Sequence, residues 1–129
     1  MIYHSKNVHI GHSFFTNIVG IVLISQACYN VCINHTVIKN VWLHRYSANK
    51  RVCILQFYGI TNIAIYNSVF MKNYGGTVIK TGQISSAITQ LSTHKLVIIN
   101  SLFVNNTSGT AGDSLHVCNI VSVSIISSK

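Results

Sequence analysis

At 129 residues, 49% of them apolar and 8% charged, the chain has the size of one domain and enough apolar surface for a substantial core, which excludes an intrinsically disordered segment. Nine Lys and Arg against a single acidic residue, Asp113, give a net charge of +8, which suits an acidic partner such as a sulfated or uronic glycan, a membrane surface or nucleic acid. No apolar run reaches the roughly 18 residues of a membrane span, and the absence of proline beside abundant Ile, Val, Ser and Asn favours strands and polar turns over helices.

The first predicted unit is Asn7-Val-His-Ile-Gly-His-Ser-Phe-Phe-Thr-Asn17. Val8 and Ile10 alternate with polar residues as the inward positions of a half-buried strand, His12-Ser13 mark a corner, and Phe14-Phe15 open a second strand. Residues 18–24 supply a further strand's length of apolar residues. With Phe14 and Phe15 they also read as the apolar region of a signal peptide ending near Ser25-Gln26-Ala27, but Asn17 interrupts that region.

The unit then returns three times, as Asn30-Val-Cys-Ile-Asn-His-Thr-Val-Ile-Lys-Asn40, Asn62-Ile-Ala-Ile-Tyr-Asn-Ser-Val-Phe-Met-Lys72 and Lys95-Leu-Val-Ile-Ile-Asn-Ser-Leu-Phe-Val-Asn105, at intervals of 23, 32 and 33 residues. A fixed alternation at such intervals is one supersecondary unit stacked on copies of itself. Short apolar runs at 21–24, 52–55 and 87–88 precede the later units, and 115–117 precedes a last, degenerate one. Extra residues in the longer intervals are expected to bulge as loops over 41–51, 74–85 and 107–114, the latter two carrying Gly75-Gly76, Gly82, Gly109 and Gly112.

Three short strands per repeat, separated by polar corners, predict an all-β right-handed parallel β-helix of about five rungs, one solenoid segment over 1–129 without clear end caps. Stacked at about 4.8 Å, matching side chains become ladders, apolar inside and Asn or Ser along the corners. An antiparallel sandwich calls for tight hairpin signals, and the chain contains neither Asn-Gly nor Asp-Gly.

On these Asn/His-Ser/Thr-x-Phe/Ile corners the sequence resembles the right-handed β-helix repeat family of the pectate-lyase-like superfamily, over nearly its whole length. The resemblance implies a fold more than a function, and a piece of a longer solenoid with neighbouring rungs. Members often cleave acidic polysaccharides with clustered carboxylates or calcium. Calcium needs several oxygen ligands and a glycosidase two carboxyls, whereas this chain has one acid, so a non-catalytic role without metal or cofactor is expected. Asp113 reads as a turn residue in Gly112-Asp-Ser114.

Other chemistry is sparse. His12 and His35 share a column and could offer two metal ligands without a third, a corner ladder being the plainer reading. Cys28, Cys32, Cys53 and Cys118 read as free thiols rather than a disulfide scaffold. Trp42, Arg45, Tyr46, Lys50, Arg51, Lys72 and Tyr74 fall in or beside the first two expected loops, where aromatic faces suit sugar rings and cations suit uronate or sulfate. The sequons at Asn34, Asn105 and Asn106 lean towards an extracellular or cell-surface location.

The leading expectation is therefore a solenoid segment with a structural or glycan- or protein-binding role in a larger protein. A fragment of a polysaccharide lyase or hydrolase with its acids outside this chain is the alternative. A basic nucleic-acid binder ranks third, because the cations are scattered.

Overall fold

The computed structural model describes residues 1–43, 53–82, 93–107, 114–117 and 120–129. Every regular element among them is a strand. After β1 (Ile2–Tyr3), the chain runs through β2 (Asn7–Gly11), β3 (Phe14–Val19) and β4 (Leu23–Gln26), then β5 (Asn30–Asn34), β6 (Val37–Trp42) and β7 (Cys53–Tyr58). It continues through β8 (Asn62–Tyr66), β9 (Val69–Met71) and β10 (Thr77–Gly82), then β11 (Thr93–Ile99), β12 (Leu102–Val104) and β13 (Leu115–His116), and ends on β14 (Ile120–Ile126).

Consecutive strands do not pair. Each pairs in parallel with the strand three places on, giving sheets of order β1-β4-β7-β10-β13, β14-β11-β8-β5-β2 and β12-β9-β6-β3. The backbone thus winds through three sheets per turn and lays every turn on the last, the arrangement of a β-solenoid. The expected column Val8, Val31, Ile63, Leu96 is in register throughout, as is Ile10, Ile33, Ile65, Ile98. In β5 and β8 these positions are buried between less buried neighbours, the period-two pattern of a strand with one face in the core. The third sheet adds Phe15, Ile38, Phe70 and Phe103 in one register, as the repeats predict.

The polar pair at each corner has two physical causes. His12, His35, Asn67 and Asn100 all have φ between 48° and 50°, the left-handed turn that Asn and His tolerate better than most residues. The next residue carries a hydroxyl ladder. Thr36 N–H donates to Ser68 Oγ at 3.2 Å, Ser68 N–H to Ser101 Oγ at 3.3 Å and Ser101 N–H to Ser128 Oγ at 3.1 Å. Each hydroxyl donates in turn to the carbonyl two residues back, as Ser68 does to Tyr66 at 2.7 Å, so these buried corner groups are satisfied.

The expected loops need correction. Val41 and Trp42 belong to β6, and within 74–85 the residues Thr77–Gly82 form β10. Residues 87–88, expected to supply that strand, lie outside the described residues, as do 44–52 and 108–113. Val78 and Ile79 bury completely, so this run joins the sheet through its apolar pair while Gly75-Gly76 makes the corner before it. Gly75 has φ +92°, donates to Thr107 O at 2.9 Å, and leaves no room for a Cβ, which would collide with the Leu43 carbonyl oxygen. Gly75→Ala is expected to destabilise the fold by about 2 kcal/mol or more. Urea unfolding would show this as a lower midpoint at unchanged slope.

Candidate functional site

The corner after the third sheet's strands brings three of the candidate residues together. Trp42, last in β6, pairs with Val19 below, and Tyr74 bridges in parallel to Trp42 and to Thr107. These four residues form an outward column spanning about 14 Å along the solenoid. Trp42 is 57% exposed, and its ring lies 4.9 Å from that of Tyr74 at an interplanar angle of 36°. The backbone beneath is held on both sides: Gly20 N–H donates to Trp42 O at 2.9 Å, Leu43 N–H to Tyr74 O at 2.9 Å, and Tyr74 N–H to Val41 O at 2.8 Å. The aromatic pair therefore stands on paired strand ends.

Under it lies a buried amide ladder that the repeats did not single out. Asn73, fully buried, accepts from Val41 N–H at 3.1 Å and donates to Ile38 O at 3.2 Å and Asn106 Oδ1 at 2.9 Å. Asn106 donates onward to Phe70 O at 3.0 Å. The only sequence signal for it is that Asn73 and Asn106 sit one residue past matching ends of their units.

Beside the aromatic column runs a second left-handed one, Asn17, Asn40, Lys72 and Asn105, with φ from 51° to 55°. Asn40 donates to Asn17 Oδ1 at 3.2 Å. Lys72 is the odd member, an exposed cation where the other turns place asparagine. On the adjoining sheet face, Phe14, 60% exposed, begins an outward column with Val37, Val69 and Leu102, and Lys39 Nζ lies 4.9 Å over the Phe14 ring. The alternation that turns Phe15 inward turns Phe14 outward, which was the available sign. Trp42, Tyr74 and Lys72 thus meet on one edge, whereas Arg45, Tyr46, Lys50 and Arg51 lie outside the described residues.

The remaining candidates separate. His12 and His35 stack at 4.9 Å and 5°, so their ring nitrogens run alongside one another rather than towards a common point. No group of three His, Cys, Asp or Glu among the described residues is placed to hold a metal ion. Of the sequon asparagines, Asn105 is exposed, Asn106 is committed to Phe70 O and Asn73, and Asn34 has its Oδ1 buried without a hydrogen-bond partner. Asp113 and Cys118 lie outside the described residues. No helix among the described residues is long and apolar enough to cross a membrane.

Cys28, Cys32 and Cys53 are free thiols. Burial pushes Cys53 up to about 11 from 9.0, a rise that Gln56 and Lys80 partly oppose, and burial also raises Cys32 and Tyr58. An acid whose folded pKa is raised stabilises the fold fully below its unfolded pKa and ceases to do so as pH climbs to the folded value. Stability should therefore fall between pH 9 and about 11, with Cys53 contributing at most about 3 kcal/mol. Chemical denaturation across that range should give a shallower slope for Cys53→Ala.

No protein-family model, curated protein or solved structure matches this chain.

Proposed function

We propose that this chain is a non-catalytic, right-handed parallel β-helix of the pectate-lyase-like kind, an extracellular scaffold whose Trp42–Tyr74 edge binds an acidic glycan or a protein. The parallel strand order supports the winding, since crossovers between parallel strands in one sheet are right-handed in nearly all proteins. The observation that carries the binding role is Lys72. Its left-handed backbone costs about 1 kcal/mol more for lysine than for the asparagine of the neighbouring turns, and the cation lies two residues from Tyr74. A residue that weakens its own ladder while placing charge beside exposed aromatic rings is a residue kept for contact.

Lys72→Asn is therefore expected to raise stability by about 0.5–1 kcal/mol while weakening binding. Titrating sulfated and uronic polysaccharides against the fluorescence of Trp42, the single tryptophan, reads the second effect. Trp42→Ala and Tyr74→Ala should each weaken that binding by about tenfold or more. Absence of binding to both polysaccharides and to a glycan array would remove the glycan reading and leave the scaffold.

A further inference from the structure

The two ends of the solenoid are finished differently. At the first turn the inward column closes on Val8, only 8% exposed. At the last it ends on Val123 and Ile125, which continue the buried columns of Leu96 and Ile98 yet are 45% and 54% exposed. Between them opens an apolar cavity of about 260 Å³, lined chiefly by Ile98, Phe103, Leu115 and Ile125. β14 is also the edge of its sheet, paired only with β11 among the described strands. Its seven residues, Ile-Val-Ser-Val-Ser-Ile-Ile, contain no charge, glycine or proline. Natural edge strands ordinarily carry such residues to prevent pairing, so this one is left able to pair.

The sequence of β14 reads almost the same in both directions about Val123. An antiparallel partner of the same sequence, centred there, sets Val123 against Val123, Ser122 against Ser124 and Ile120 against Ile126. A two-fold axis normal to the sheet keeps the inward face of each strand inward, so each exposed Val123 and Ile125 meets its counterpart. We propose that the face made by β14 and the cavity beside it docks a second copy of this chain, tail to tail, through antiparallel β14–β14 pairing. Burial selects this arrangement over head-to-tail stacking. A head-to-tail contact would set the open end against the already covered Val8 end and extend without limit, whereas the two-fold contact closes after two copies. The interface lies away from the Trp42–Tyr74 edge, and the inference does not rest on the proposed binding role.

Sedimentation equilibrium of the 129-residue chain over a concentration series should show a monomer–dimer equilibrium and nothing larger. Val123→Lys, which places two cations together on the axis, should raise the dimer dissociation constant by about tenfold or more. Val123→Cys tests the register directly: opposed residues of an antiparallel pair have Cα atoms about 4.5–5.5 Å apart, within disulfide range, so mild oxidation should yield a dimer whose linked peptide joins 123 to 123. If Val123→Lys fails to fold by circular dichroism, the cysteine variant alone decides. A strictly monomeric chain, an open-ended polymer, or a dimer that does not cross-link at 123 would each overturn the proposal.

Discussion

Truncating Phe70 to alanine is expected to lower stability by about 3–5 kcal/mol, the cost of a large cavity in a close-packed core. Phe70 has no exposed surface, continues the inward column of Ile38, and stacks on Phe103 with ring centroids 4.7 Å apart and planes within 11°. The turns on either side are fixed by their own hydrogen-bonded ladders, so neighbouring side chains cannot collapse into the void without breaking register. Phe103 is only partly buried beside the open end, and Phe103→Ala should cost visibly less. Equal losses at the two positions, measured by urea unfolding, would mean that the column does not deepen from the end of the solenoid towards its middle.

The second large effect is polar. Asn73→Ala removes the partners of Val41 N–H and Ile38 C=O, two main-chain groups of β6, and frees Asn106 Oδ1. Each buried group left unsatisfied costs about 1–3 kcal/mol, so a total near 3 kcal/mol is expected, unusual for a small polar residue. Asn73→Asp should fare little better, since a carboxylate cannot donate to Ile38 O. A double-mutant cycle with Asn106→Ala should be strongly non-additive, because the two amides share one ladder. Trp42 fluorescence should change in the same variants, as the aromatic edge is the outward continuation of the strand ends that Asn73 ties down.

Much of this architecture is legible in the sequence because a solenoid converts sequence repeats into spatial neighbours. Val8, Val31, Ile63 and Leu96 align by letter and align in space, and the hydroxyls of Thr36, Ser68, Ser101 and Ser128 do the same. What is not legible is where an insertion enters a turn. Two glycines before residue 77 suggest a loop, yet the turn needs the positive φ of Gly75 and resumes its strand at once. Asn73 escapes notice for a related reason: asparagine is common throughout the chain, and nothing local distinguishes one that hydrogen-bonds inside the fold from one facing water. Of the binding edge, Trp42, Tyr74 and Lys72 are legible through composition. The Phe14–Lys39 contact depends on which of two adjacent phenylalanines faces outward, a matter of strand register.

Methyl–methyl nuclear Overhauser effects in a selectively labelled sample test the stacking of turns most directly. Contacts should join Val31 to Ile63, Ile63 to Leu96, Ile33 to Ile65 and Ile65 to Ile98, residues 32 or 33 positions apart in the chain that share one register. Their absence, or direct contacts between Val31 and Leu96 with Ile63 left out, would contradict the parallel winding on which every other inference stands.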